Sequence, residues 1–397
     1  MQETLGIQTQ LFGLKRQMQI YLEGRMQQKK PELPISATAL EALAREKMKP
    51  EAFAYIAGGA GSGATVSHNV QAFTQWEIVP RMLRDVSQAH SQINLLGHTW
   101  ASPIALAPIG VLSIAHPEAE VAVAKAAAAL QIPFTLSTVS SKTMEEVASA
   151  AGDSPRFFQL YWGRNPEFMK SLITRAEKAG YSALMVTLDT RMLAWRDLDI
   201  AQAYLPFLYG EGLANYFSDP VFRSLLKEPP EQNPMAAIML FGQVFTNPAL
   251  TWEDFKILRE HTRMPILLKG ILHPEDARMA LDHGADGVVV SNHGGRQVEG
   301  AVSALRMLPE VAQALDGRGT VLFDSGIRKG ADVFKAIALG ADAVLLGRPY
   351  PYGLALAGEA GVFHVAANLM ADADLTLALS GLSTWGEVDG NYVRRAE

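Results

Sequence analysis

The chain has 397 residues, 48% of them hydrophobic and 19% charged, with a formal net charge of −6 and no cysteine. Such length and apolar content suffice for a large buried core, and the acidic balance offers no global attraction for nucleic acid or an anionic membrane. The absence of thiols excludes disulfides, thiolate metal sites and a cysteine nucleophile; it fits a reducing compartment, so a cytoplasmic location is expected.

The first 30 residues hold no continuous apolar core of signal-peptide length. No uncharged apolar run of about 18 residues occurs anywhere, so no membrane span is expected. Leu11, Leu14, Met18 and Leu22 recur at helical spacing. That predicts a helix laid on the body of the protein, or on a neighbouring subunit, rather than on a membrane surface. Residues 1–100 precede the first regular strand and read as a helical cap or extension. Within them AGGAGSG at 57–63 follows no clear strand and sits in no βαβ unit, so it is discounted as a dinucleotide fingerprint.

From residue 101 to 397 short apolar runs recur: IALA at 104–107, PFTLS at 133–137, FFQLY at 157–161 and ALMVTL at 183–188. PILLK at 265–269, GVVVS at 287–291, TVLFD at 320–324 and AVLLG at 343–347 follow. Each is continuous rather than alternating, as for strands buried on both faces of a parallel sheet. Helix-like segments lie between them. HPEAEVAVAKAAAAL at 116–130 is alanine-rich, SKTMEEVASA at 141–150 opens like a capped helix, and 273–285 and 330–341 carry glycine at their ends. Eight alternations of strand and helix make an α/β protein, a (β/α)8 TIM barrel.

About 75 residues separate Asp189 from Pro265, where one helix would do. The insertion, about 197–255, mixes aromatics, glycine and prolines after the fourth strand. Insertions there sit on the catalytic face, so a lid is expected; a spacer or an oligomer contact is the plainer alternative. Trp195 and Tyr204 either line a pocket or pack within the lid.

In this fold the C-terminal ends of the strands carry the chemistry. Here they end in Pro108, Ile109 and Gly110, in Ser137, in Gln159 and Tyr161, in Thr187 and Asp189, in Lys269, in Ser291, His293 and Arg296, in FDSGIRKG and in LLGRP. Singly, each reads as a structural hydrogen-bonder or a helix cap. Together, a lysine, a histidine, an aspartate and an arginine converging on one mouth are costly to desolvate unless they serve something charged. Glycines such as Gly326 and Gly347 let backbone approach a ligand. The last two loops, SGIRKG and GRPYPYG, offer a phosphate site to which Arg328 and Arg348 add charge. A phosphate site beside one central lysine fits two cofactors: pyridoxal phosphate with Lys269 as Schiff base, or FMN with Lys269 beside the ring. Arg296 then holds a substrate carboxylate, and His293 is a general base oriented by Asp189.

SNHGGRQ, LKGILHPEDA, TLDT and FDSGIRKGADVFKAIALGADAVLLGRPY resemble the FMN-dependent α-hydroxy-acid oxidase family, over roughly residues 35–385. Within it, LAWRDLDIAQAYLPFLYGEGLANYFSDPVFR is similar to the lactate 2-monooxygenase branch. The resemblance implies FMN in place of the Schiff base, and no metal. It implies that Tyr55, Arg196 and Arg296 hold the substrate carboxylate, that Tyr161 bonds its hydroxyl, and that His293 is the base, oriented by Asp189. Lys269 would neighbour the flavin N1 edge. Ser137, Gln159, Thr187 and Ser291 would bind the ring, with the backbone of Ala107, Pro108, Ile109 and Gly110 against it. Asp324, Gly326, Arg328, Gly347 and Arg348 would hold ribityl and phosphate. A small L-2-hydroxy acid, L-lactate first, and O2 are the implied reactants, and a homo-oligomer, tetramer or octamer, the implied assembly. Gly110 stands where simple oxidases of the family tend to have alanine. With the long insertion, this favours oxidative decarboxylation to acetate, CO2 and water over release of pyruvate and hydrogen peroxide.

Overall fold

The computed structural model describes residues 11–396. Eight parallel strands close into a barrel: β1 Ile104–Leu106, β2 Phe134–Ser137, β3 Arg156–Tyr161, β4 Ala183–Thr187, β5 Ile266–Ile271, β6 Gly287–Val290, β7 Thr320–Phe323 and β8 Ala343–Leu346. Each strand pairs with the next in sequence, and β8 closes on β1. The expected barrel is therefore observed, with every strand within two residues of its predicted span.

Successive residues of a strand face opposite ways. One set, including Phe157, Met185, Leu267, Val289, Leu322 and Leu345, fills the bore. The other, including Phe158, Leu184, Leu268, Val290 and Phe323, joins the larger core between barrel and helices. Both faces are dry, which is why the strands read as unbroken apolar runs. The fully buried Trp100 stops the bore where the strands begin, its ring 5.8 Å from that of Phe157. It ends a hairpin, Ile93–Leu95 with His98–Trp100. Helix Met144–Ala151 starts with the expected reciprocal cap between Thr143 and Glu146.

The last helix, Pro349–Leu379, is long and apolar enough to cross a membrane by length and composition. It kinks at Ala357 and Gly358 and packs against Ala119–Leu130 and Gly330–Ala338. The N-terminal helix Phe12–Gln27 lies on it, with Gly13 N–H donating to Asp374 at 2.8 Å and Arg16 to Asn368 at 2.6 Å. Of the residues at helical spacing, Leu11 is buried and Leu14, Met18 and Leu22 are half-buried, as are Phe12 and Arg16. The first ten residues of the expected cap lie outside the described range.

After β4 the insertion forms short helices, Asp197–Ala201, Ala214–Phe217, Pro220–Ser224 and Pro234–Val244, before the barrel helix Trp252–His261. Phe207, Tyr216, Phe222, Phe241 and Phe245 give it a small aromatic core. Asn215, fully buried, fastens it to the end of β2: its amide donates to Thr138 O at 3.2 Å and Ser140 Oγ at 2.9 Å and accepts from Met144 N–H.

Candidate active site

The residues that fill the bore set the parity of everything above them. Continuing the same face by steps of two leads from Phe157 to Gln159 and Tyr161, and from Met185 to Thr187 and Asp189. Leu267 leads to Lys269, Val289 to Ser291 and His293, Leu322 to Asp324, and Leu345 to Gly347. One face of each strand is thus apolar in the bore and polar at the mouth.

At the mouth a cavity is walled by Tyr55, the loop Ala107–Gly110, Tyr161, Arg196, Lys269, His293, Arg296, Asp324, Gly326, Arg328, Gly347 and Arg348. Ser137, Gln159, Thr187 and Ser291 do not wall it. Ser137 Oγ donates to Gln159 Oε1, whose amide donates to Thr187 Oγ1, both at 3.0 Å. Ser291 Oγ receives Lys269 Nζ at 2.8 Å and holds the backbone N–H of His293 at 3.0 Å.

His293 has φ 57°, a left-handed conformation uncommon for a residue with a Cβ. Its Nδ1 lies 2.8 Å from Asp189 Oδ1, which leaves Nε2 unbonded on an imidazole that lines the cavity. Burial moves the imidazolium below the ordinary histidine range, although Asp189 pulls the other way. Burial also opposes ionisation of Asp189, but His293 and Lys269 more than offset it and hold that carboxyl below its usual value. Lys269 Nζ and Asp324 Oδ2 form a buried pair at 2.8 Å.

The arginines are held on backbone. Arg296 Nη1 donates to Tyr55 O at 2.6 Å and Gly58 O at 2.8 Å, with the Tyr55 ring 5.1 Å from its guanidinium carbon. Arg196 donates to Arg296 O and Gln297 Oε1, and Asp199 lies 3.6 Å from it. Arg348 donates to Ala57 O, Gly58 O and Gly294 O, which leaves two of a guanidinium's five N–H groups. Burial, reinforced by Arg196, pushes Arg296 down to about 10. Burial, reinforced by Arg296, pushes Arg348 down to about 9. Both remain cations at neutral pH, so the mouth carries crowded positive charge that an anion would relieve. Burial raises the phenols of Tyr55 and Tyr161, which stay protonated donors.

The glycine-rich loop at 57–63 is thus the acceptor for two of these arginines, and Gly61 bridges to Arg196. Several residues that complete the site were not singled out from sequence. Gln297 ties Arg196 to the chain after β4 through Asp189 O at 2.8 Å. Asn69 and Asn292 exchange amide bonds at 2.7 and 2.8 Å and fix the cap helix Ala64–Gln71 to the end of β6. Phe207 and Phe245 of the insertion reach the cavity. Trp195 does not; it is 72% exposed. Tyr204 packs against Tyr209 instead, the rings tilted at 31° with centroids 5.3 Å apart.

The donor set suits FMN. A phosphate has cationic and glycine-lined surroundings at Arg328, Gly347 and Arg348, and the neighbouring arginine and histidine side chains, Arg196, Arg296 and His293, suit a small carboxylate.

The model of the FMN-dependent dehydrogenase family matches residues 44–395. The chain is 43% identical to an L-lactate oxidase of Lysinibacillus sphaericus, over 88% of this chain and 90% of that protein. It is 42% identical to the FMN-dependent alpha-hydroxy acid dehydrogenase qulF of Penicillium citrinum, over 96% and 95%. The crystal structure of a mandelate oxidase superposes with a TM-score of 0.81 at 37% identity, covering 91% of this chain and 98% of that one. Barrel, cofactor surroundings and sequence agree: the chain belongs to the FMN-dependent family of α-hydroxy-acid oxidoreductases, and its chemistry is FMN-dependent oxidation of a 2-hydroxy acid.

Proposed function

We propose that the chain oxidises L-lactate with O2 and retains the product, so that L-lactate and O2 become acetate, CO2 and water. The observation that carries the oxidation is the His293–Asp189 contact, 2.8 Å, with Nε2 left without a partner among the described residues on a ring that lines the cavity with Arg196 and Arg296. FMN, when bound, supplies the two-electron acceptor that O2 regenerates. Arg196 and Arg296 hold the substrate carboxylate, and Tyr55 and Tyr161 donate to its oxygens. His293 Nε2 takes a proton from the substrate, and Asp189 stabilises the imidazolium that results. Lys269, which lines the cavity, would neighbour the bound ring.

Retention is supported at two points. A Cβ on Gly110 would stand 2.5 Å from Val139 Cγ2 and 2.6 Å from Val139 O, so the Ala107–Gly110 loop lies tight against the chain after β2. Phe207 and Phe245 of the insertion also wall the cavity, and Asn215 pins their support. A site closed this way sets product release as the gate on what O2 does next.

A second reading, release of pyruvate and hydrogen peroxide, is favoured by the relatives named L-lactate oxidase. The test is to give the yellow holoenzyme L-lactate in air, without catalase, and to quantify acetate, pyruvate and peroxide together. Acetate near one per O2 supports retention. Matching peroxide and pyruvate overturns it in favour of the second reading. Bleaching of the flavin without O2 uptake overturns both and points to another electron acceptor. We also infer a homo-oligomer, because Met192, Trp195, Ile200, Leu208 and Tyr209, all large and apolar, are each exposed; light scattering checks it.

A further inference from the structure

A second cavity of about 290 Å³ lies behind the catalytic pair. It shares no wall residue with the active-site cavity. His293 lines the front cavity and Asp189 lines the back one, so the pair is a partition between them. Asp189 divides its carboxylate accordingly. Oδ1 holds His293, while Oδ2 is buried and has no hydrogen-bond partner among the described residues. Buried carboxylate oxygens ordinarily have one, and an orphan calls for a donor.

The backbone is shaped to seat that oxygen. Gly270 follows Lys269 at a bulge in β5, with φ +101°. A Cβ there would lie 2.8 Å from both Cγ and Oδ2 of Asp189. Glycine is required for the conformation and for the space. The chamber's remaining walls are aromatic and aliphatic, chiefly Trp162, Trp252, Phe255 and Leu250, with the half-buried carboxylate of Asp276 as a second acceptor. Arg191 also borders it but is exposed, so water screens its charge.

We propose that this chamber is a second binding site, for a small organic cation: a primary amine on an apolar body, its ammonium between the carboxylates of Asp189 and Asp276 and its body against the tryptophans. Two carboxylates and aromatic faces in one enclosure suit that chemistry. An occupant draws on the carboxylate that stabilises the imidazolium at His293, and so slows substrate oxidation without touching the substrate. The inference rests on the reading of His293 and Asp189 as the proton-accepting pair.

The test uses benzylamine as probe on the holoenzyme, with L-lactate-driven bleaching of the flavin followed in the absence of O2 and binding followed by calorimetry. The limiting rate is expected to fall about tenfold at saturation, the worth of one charge-assisted hydrogen bond, with the affinity for lactate unchanged. Leu250→Trp, which fills the chamber, and Asp276→Asn, which removes an acceptor, should each weaken benzylamine about tenfold or more and leave the uninhibited rate as it was. Competition with lactate, no saturable binding, or parental binding by both variants would overturn the proposal. His293→Gln separates the two ideas. Undiminished bleaching by that variant would overturn the base assignment, whereas abolished bleaching with no benzylamine bound would overturn the chamber alone.

Discussion

His293 Nδ1 and Asp189 Oδ1 meet at 2.8 Å across the barrel mouth, one beyond the end of β6 and the other beyond the end of β4. Burial disfavours the imidazolium, so His293 titrates below its ordinary value even with Asp189 beside it. A base acts in its neutral form. The ratio kcat/KM is therefore level above the shifted pKa and falls as pH drops through it, with the acid limb below about 6.5. Asp189→Asn removes the contribution that raises the pKa. The limb should move to still lower pH, and turnover should fall by about 10²- to 10⁴-fold. Profiles of kcat/KM against pH for both proteins check this, and a limb that moved upward would contradict it.

Arg296 spends Nη1 on two backbone carbonyls and still borders the cavity. A lysine at this position cannot hold Tyr55 O and Gly58 O and also present a planar fork to a carboxylate. Arg296→Lys should raise KM for the 2-hydroxy acid by about 10- to 100-fold, the worth of a charge-assisted bond, and change kcat less. Steady-state kinetics on the FMN-loaded variant decide it; an unchanged KM would remove Arg296 from the carboxylate site.

How much of this was legible in the chain follows from what fixes each part. The strands were legible because both faces are dry, and an apolar run needs no partner to be recognised. His293, Lys269 and Asp324 were legible because strand parity places them on one face at one end. Tyr55 and Arg196 were not derivable that way. Tyr55 comes from the helix Pro50–Ala57 of the cap, and Arg196 from a loop that meets Gly61 in an isolated bridge. Only resemblance supplied them. In the insertion no period relates residue to wall, so Phe207 and Phe245 rather than Trp195 face the site because of how the aromatic core packs. The N-terminal helix lies on the body as its spacing suggested, with Leu11 buried, but its closest seat, the buried hydrogen bond at Gly13, has no signal in that spacing.

Phe245 stands against Tyr161 with ring centroids 5.2 Å apart and also packs on Phe207 and Phe241. Phe245→Ala opens the cavity beside Tyr161 and leaves a hole in the aromatic core. The expected result is a loss of about 3–5 kcal/mol in stability and a shift in kcat/KM from lactate toward longer 2-hydroxy acids. Phe245→Leu should move both in the same direction by less. Denaturant unfolding and a chain-length series of substrates provide the check; a preserved preference for the shortest substrate would mean that Phe245 does not set the pocket's length.

Glu120 is fully buried near the loops that follow β1 and β2. Its Oε1 accepts the N–H groups of Leu112 and Ser141 at 3.2 and 3.1 Å, and its Oε2 has no partner among the described residues. Burial pushes this carboxyl from 4.5 up to about 7, against the backbone bonds that favour its charge. The unfolded chain gives up the proton first as pH rises. The contribution of Glu120 to stability is thus complete below 4.5 and is lost as pH rises toward about 7. The shift is worth about 3 kcal/mol across that window. Glu120→Gln keeps an acceptor for both N–H groups and cannot ionise. Its unfolding free energy should lack that decline, so the stability difference between parent and variant should change by about this amount between acid and neutral pH. Urea unfolding of both proteins at several pH values measures it, and parallel curves would show that Glu120 titrates normally in the folded chain.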